Sequence, residues 1–350
     1  MSIVQSTAVA TLQRPKAENR QAQLHDFIKQ SGFAEHSVEP LAGDASFRRY
    51  VRVITPQTSY VVMDSPPALE PIRPYIKVCD YLCKQGYSAP RIIALDEEMG
   101  FLLLEDLGNE VFNSLLEQNR KNPAKLEREL YEQSVKLLAE WHKAPGMLKG
   151  TSTLKIGDYT RDEYIQELKL FTDWYLPELG RPEASFRAGE FLDIWMELLR
   201  STPPADCYFV HRDFHANNLV WLEEREENAR VGLLDFQDAL WGDCSYDLAS
   251  LIEDARRDVE PDLAADMKRL YVELTGQPMA LFSKRYAMIA AQRNLKIIGI
   301  FARLNKRDGK PQYLDYLPRV WKYLEHDLTH PSLAKLQRWM DTCVPRELRK

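Results

Sequence analysis

Apolar and polar positions follow two rhythms along this chain. A short helical repeat over residues 21–31 gives way to β-prone runs at 38–41, 47–53 and 59–63. The polar stretches GDAS and TPQT separate these runs, which predicts an antiparallel meander. Pro66, Pro67 and Pro71 then interrupt the chain ahead of a helical stretch over about 72–85, and RIIAL and FLLLEDL read as two more strands. From about Asn109 the period becomes that of amphipathic helices, near 124–143, 161–176 and 184–200. Two stretches break it: CYFVHRDFHANNLVWL and ARVGLLDFQDALWG alternate short apolar strands with polar loops. Helical patterning resumes at Ser245 and includes a long segment over about 280–306. The order predicts an α+β, two-lobed protein. A leader and helix (1–34) precede a small antiparallel β N-lobe (35–107) and a large helical C-lobe (108–350) that carries a β-insert.

Composition narrows the function classes. The 350 residues are 45% hydrophobic, enough for a substantial core, and 28% charged with a formal net charge of -6. Such a balance offers no global field for nucleic acid or an anionic membrane. No run approaches the roughly 18 apolar residues of a membrane helix, and the first 20 residues lack the apolar core of a signal peptide, so they read as a flexible leader. Five scattered cysteines, an odd number without C-x-x-C spacing, read as reduced and mostly buried thiols in a cytoplasmic protein. No repeat and no obligatory protein partner is evident.

The β-insert holds the candidate chemistry. HRDFHANN sets Asp213 and Asn218 five residues apart, and Asp235 in LLDFQD follows 17 residues after Asn218. Two strands joined by polar loops would bring them together. Phosphoryl transfer needs a carboxylate to orient the acceptor hydroxyl and take its proton, a role that fits Asp213. It also needs oxygen ligands for Mg²⁺ on the phosphates, a role that fits Asn218 and Asp235. The plainer alternative makes these residues Asx turns between strands. His211 and His215 lack a third ligand at zinc spacing and read as loop-holding residues. The H-E-x-x-H, G-x-S-x-G and P-loop motifs are absent.

HRDFHANN and LLDFQD resemble the catalytic and metal loops of the protein-kinase-like fold, in its aminoglycoside phosphotransferase and choline kinase branch. D-F-Q-D in place of D-F-G, and no A-P-E, argue against a protein kinase. GDASFRRY, YVVMDSPP, FLLLEDLG, LLDFQDALWG and NLKIIGIFARLNKRDGKPQYL further resemble the bacterial anomeric N-acetylmuramate/N-acetylglucosamine kinases of peptidoglycan recycling. That resemblance implies ATP and Mg²⁺, an amino-sugar acceptor phosphorylated at its C1 hydroxyl to the α-1-phosphate, and later conversion to a UDP-sugar. Either sugar fits. An aminoglycoside or choline-like acceptor, and a nucleotide-binding pseudokinase scaffold, remain the alternatives.

Other residues fill out the expected site. Gly43, Ala45 and Ser46 in GDAS could offer backbone N–H groups and a hydroxyl to phosphates, or form an ordinary hairpin turn. The fold places adenine against the lobe connection, with the Glu105 carbonyl and the Leu107 N–H as candidates. Where a kinase third strand carries lysine, this chain has Met63, so Arg48 or Arg49 is expected to supply the missing charge. For the acceptor, Asp238 and Asp243 are candidates for sugar hydroxyls, with a turn or helix cap as Asp243's plainer role. Arg293, Lys296, Arg303 and Arg307 form a basic helix face that could take a lactyl carboxylate or simply be solvated.

Overall fold

β-Branched and aromatic residues at alternate positions build a five-stranded sheet. Its strands are β1 (Ser37–Leu41), β2 (Arg49–Ile54), β3 (Ser59–Asp64), β4 (Ile92–Asp96) and β5 (Phe101–Glu105). All pairings are antiparallel, in the order β1-β2-β3-β5-β4. One face is covered by helix α1 (Ala17–Gln30), whose Leu24, Phe27 and Ile28 pack on Val53, Val62, Phe101 and Leu103. The computed structural model describes residues 17–34, 36–41, 47–119, 122–202 and 207–349. They divide into two compact units. The first runs to Arg73 and includes Arg91–Asp106; the second comprises Pro74–Pro90 and everything from Leu107 onward. The GDAS turn with Gly43, Ala45 and Ser46, and the leader up to residue 16, lie outside the described residues.

The unit boundary between Asp106 and Leu107 falls one residue before the expected one, but helix α2 (Arg73–Lys84) groups mainly with the second unit. Its contacts explain this. Tyr75 packs on Phe236 with ring centroids 4.8 Å apart, Tyr81 Oη lies 2.8 Å from Ser152 Oγ, and Ser88 O accepts Leu233 N–H at 2.7 Å.

Helices make up most of the second unit. They are α3 (Phe112–Gln118), α4 (Pro123–Trp141), α5 (Arg161–Leu170), α6 (Pro182–Phe186), α7 (Ala188–Ser201), α8 (Ser245–Ile252), α9 (Pro261–Thr275), α10 (Met279–Asp308), α11 (Leu317–Asp327) and α12 (Ala334–Cys343). A capping box starts α5: Thr160 Oγ1 accepts Glu163 N–H at 3.2 Å, and Glu163 Oε2 accepts Thr160 N–H at 2.6 Å. The single helix expected over 161–176 ends early. From Phe171 the chain forms a π turn to Tyr175 and a 3₁₀ turn over Leu176–Leu179, with Pro177 unable to donate to a continuing helix. The main core joins α5, this turn, α7, α10, α11 and α12 around Phe171, Phe191, Trp195, Leu295 and Trp321. The β-insert comprises two antiparallel pairs. β6 (Tyr208–Val210) pairs with β9 (Leu240–Gly242), and β7 (Leu219–Trp221) with β8 (Val231–Leu233). Among the described residues, no helix is long and apolar enough to cross a membrane, and all five cysteines are unbridged.

Candidate active site

Two loops hang from the paired strands. One joins β6 to β7 and carries Asp213 and Asn218; the other joins β8 to β9 and carries Asp235. The first begins under strain, because Arg212 sits at φ 76°, a region side chains usually avoid at a cost of roughly 1–3 kcal/mol. Asp247, in the first turn of α8, offsets that cost. Its two oxygens accept the N–H groups of His211 at 2.7 Å and Arg212 at 2.9 Å. Burial pushes the Asp247 carboxyl up to about 7 and the nearby Asp213 charge adds to this, against the pull of the two N–H bonds.

Asn218 closes the loop. Its Nδ2 donates to Asp213 O at 3.0 Å and lies 3.3 Å from His215 Nε2, while its N–H donates to His215 O at 2.8 Å. Arg256 Nη1 also lies 3.3 Å from His215 Nε2. Both neighbours of Nε2 are donors, so it accepts, and the ring is neutral with its proton on Nδ1. Burial, which lowers the His215 pKa, agrees. Leu234 N–H donates to Asn218 O at 2.9 Å, so Asp235 follows immediately on the residue bonded to Asn218. Asp235 is exposed, at φ 63°, and its Oδ1 accepts Gln237 Nε2 at 2.7 Å. Phe236 beside it is buried.

These donors suit a hard divalent cation. With the Asn218 amide nitrogen turned to two acceptors, Oδ1 faces away from them, and the Asp235 carboxylate adds a second oxygen. Among the described residues no group of three or more His, Cys, Asp or Glu could hold a metal. A two-residue oxygen site of this kind suits a cation that takes its remaining ligands from phosphates and water. His215 is excluded as a ligand by its two donor neighbours.

A buried ionic cluster stands beside Asp213. Glu167 of α5 accepts from Arg212 Nη2 at 2.6 Å, Lys296 Nζ at 2.7 Å and Gln292 Nε2 at 3.0 Å, and hydrogen-bonds Tyr159 Oη. Lys296 Nζ reaches Tyr246 Oη at 3.2 Å, and the Arg212 guanidinium lies over the Tyr159 ring. Burial acts to raise the Glu167 carboxyl but is outweighed by Lys296 and Arg212, and the Lys296 ammonium is in turn held up by Tyr246 and Glu167 against burial. Burial likewise acts to raise Asp213, and is outweighed by His215, Lys296, His211 and Arg212. Since burial keeps both imidazoles neutral near pH 7, Lys296 and Arg212 carry that effect there.

The other anticipated residues are more scattered. Asp238 is exposed just past Asp235, and its carbonyl accepts Arg212 Nη1 at 3.3 Å. Asp243 is buried; its Oδ1 accepts Ser245 N–H at 2.8 Å, an Asx turn leading into α8, and Arg285 lies 3.4 Å from Oδ2. The basic face of α10 does not act as one surface. Arg293 is buried and donates to Ser250 Oγ at 2.9 Å and Glu253 O at 3.2 Å, which ties α10 to α8. Arg303 lies ten residues on, about 15 Å along the helix, and the exposed Arg307 pairs with Asp308 at 2.7 Å. In the first unit, Arg48 meets Glu70, Arg49 meets Asp64, and Glu105, the last residue of β5, accepts Arg91 Nε at 3.0 Å. Leu107 is buried and opens the second unit. Glu167, Asp247 and Gln237 were not anticipated. Two had a local signal: Gln237 is the residue that replaces glycine in D-F-Q-D, and Asp247 falls in the first turn after LLDFQDALWG.

The fold is shared with solved structures of other proteins. A choline/ethanolamine kinase family protein from Mesorhizobium loti aligns over 93% of this chain and 98% of its own, with TM-score 0.60 and 14% identity. An ADP-bound aminoglycoside phosphotransferase aligns over 87% and 96%, with TM-score 0.56 and 17% identity. In sequence, an N-acetylmuramate/N-acetylglucosamine kinase from Caulobacter vibrioides is 35% identical over 95% of this chain and 99% of its own. One from Pseudomonas aeruginosa is 38% identical over 85% and 86%. A model of the phosphotransferase enzyme family matches residues 37–282, spanning the sheet, both loops and α8. The chain is a phosphotransferase of the protein-kinase-like fold and belongs to this aminoglycoside phosphotransferase and choline kinase-like family.

Proposed function

We propose that this enzyme transfers the terminal phosphoryl group of ATP to the C1 hydroxyl of N-acetylmuramate or N-acetylglucosamine, giving the α-1-phosphate, as a cytoplasmic step in peptidoglycan recycling. The observation that carries the reading is the loop geometry: the backbone carbonyl of Asp213 accepts the Asn218 side-chain amide, and Asp235 directly follows Leu234, whose N–H donates to the Asn218 backbone carbonyl. The names of the curated relatives support the acceptor.

Asp213 orients the acceptor hydroxyl and takes its proton as the oxygen attacks phosphorus in line. Asn218 Oδ1 and the Asp235 carboxylate are the residues that would hold Mg²⁺, which would supply neutralising charge to the phosphates. Asp238, exposed beside this centre, is offered as a contact for sugar hydroxyls, and Arg303 as a contact for the lactyl carboxylate. An anomeric hydroxyl is more acidic than other sugar hydroxyls, which suits a base as weak as a carboxylate held below its ordinary pKa.

The test follows the reducing end. With either amino sugar, reducing-sugar signal falls in proportion to ADP formed, and the 1-O-methyl glycoside is not turned over. Full reducing signal alongside accumulating ADP and phosphosugar would move the transfer to another hydroxyl. No turnover of either sugar, with choline or kanamycin turned over instead, would replace the acceptor class.

A further inference from the structure

Kinase-fold enzymes commonly hold the α- and β-phosphates with a third-strand lysine that a glutamate on the following helix keeps in place. Here that strand position is Met63, which is fully buried. Strand register shows which nearby cations share its face. Directly opposed residues of an antiparallel pair point the same way, and neighbours along a strand point oppositely. Met63 is opposite Tyr50 and Leu102, whereas Asp64 is opposite Arg49 and Phe101. Phe101 packs under α1, and Arg20 of α1 lies 3.9 Å over its ring while bonding Asp64 Oδ1 at 2.8 Å. Arg49 Nη2 reaches Asp64 Oδ2 at 2.7 Å. Arg49 is therefore on the α1 face, across the sheet from Met63.

By alternation, Arg52 shares the Met63 face, and Arg48 is the residue that enters β2 beside Arg49, two positions before Tyr50. Arg52 is claimed by a forked pair with Asp106, to Oδ2 at 2.5 Å and Oδ1 at 3.0 Å, and Ser59 Oγ bonds the same carboxylate. Asp106 follows the last strand residue, so that pair belongs to the end of the sheet where the chain leaves it. Arg48 immediately precedes β2, at the end of the strand where Tyr50 faces Met63. Glu70 lies three residues ahead of α2. Its Oε2 is 3.1 Å from Arg48 Nε and its Oε1 accepts Phe47 N–H at 3.1 Å, while its carbonyl accepts Ser65 Oγ at 2.6 Å. A carboxylate anchored through its backbone thus steadies an arginine at the Met63 end of the sheet.

The geometry points to Arg48, held by Glu70, as the cation that grips the nucleotide phosphates in place of the third-strand lysine, with Arg49 bracing α1 to the sheet through Asp64. The inference rests on ATP being the donor. Because MgADP binding can be measured without an acceptor, its failure and that of the amino-sugar reading are distinguishable.

The test compares Arg48→Met, Glu70→Gln and Arg49→Met by calorimetric MgADP titration, by KM for ATP and for the sugar separately, and by thermal melting. Arg48→Met raises the MgADP Kd and the ATP KM by about tenfold or more, as expected for loss of a charge-assisted contact, and leaves the sugar KM unchanged. Arg48→Lys recovers part of that loss. Glu70→Gln, a positioning change, raises the ATP KM severalfold with the sugar KM unchanged. Arg49→Met lowers Tm and leaves the ATP KM within about twofold. A folded Arg48→Met protein with unaltered MgADP affinity overturns the proposal, as does an Arg49→Met effect on ATP equal to that of Arg48→Met. Should Arg48→Met not fold, Glu70→Gln decides: an ATP-selective rise supports the proposal, and no rise, or an equal rise in both KM values, overturns it.

Discussion

A half-buried carboxylate stays ionised only where neighbouring cations offset its lost hydration. Lys296 and Arg212 do so for Asp213, and Glu167 fixes both cations with a single carboxylate. Asp213→Asn keeps the shape and removes the proton acceptor, so kcat should fall by about 10²–10⁴ while MgADP binding persists; steady-state rates and calorimetry check both. Asp235→Asn removes the one anionic donor of the pair, so the Mg²⁺ concentration for half-maximal rate should rise by about tenfold, read from a Mg²⁺ titration at fixed ATP. An unchanged titration would take Asp235 out of the metal site. Asp213, Asn218 and Asp235 were legible in the sequence because one short insert carries all three at spacings two loops impose. Glu167 and Gln292 were not. Each sits on a helix whose period announces burial and nothing about which polar residue is turned to a distant loop.

Elements were legible where local chemistry decides them. Strands and the long helix lie within a few residues of their expected positions, since alternation and prolines act locally. The end of α5 is a tertiary effect. Gly299 on α10 lets the backbone at the α5–π junction approach so closely that a Cβ there would lie 2.3 Å from Leu170 C and 2.4 Å from Phe171 N. Neither backbone atom can swing aside. Gly299→Ala should therefore cost about 1–3 kcal/mol despite alanine's better helix propensity, lower Tm by several degrees, and reduce kcat because Lys296 is one turn away. Gly189→Ala on α7, where a Cβ meets nothing within 4 Å, is the control and should leave melting unchanged or raise it. Equal melting of the two variants would show that the junction yields. The basic face of α10 teaches the converse point. Helical spacing placed Arg293 correctly along the axis, but burial against α8 decided what it bonds.

Taken whole, the molecule is sensitised to acid by imidazoles it keeps neutral inside. Burial lowers His142 to about 3 and His211 to about 4. The unfolded chain protonates such groups near 6.5, so the stability they confer is complete above that pH and drains away as pH falls toward their folded values. Asp247, raised to about 7, works in the opposite sense: between about 7 and 4 the fold gains from it as pH falls. His142→Asn should reduce the acid slope of unfolding free energy between about pH 6.5 and 5 by about 1.4 kcal/mol per unit, measured by urea unfolding at several pH values. An unchanged slope would mean that His142 titrates normally. The D-F-Q-D loop bears on how the enzyme could be inhibited. Where many kinases have a glycine that lets the aspartate–phenylalanine pair rotate, this chain has Gln237, whose side chain is bonded to Asp235, with Phe236 packed at a tilt against Tyr75. Drug-like compounds that act by trapping a turned-out loop would have to break the Gln237–Asp235 bond and pull a buried Phe236 from its packing, so chemical screens should favour molecules that accept the loop as it stands.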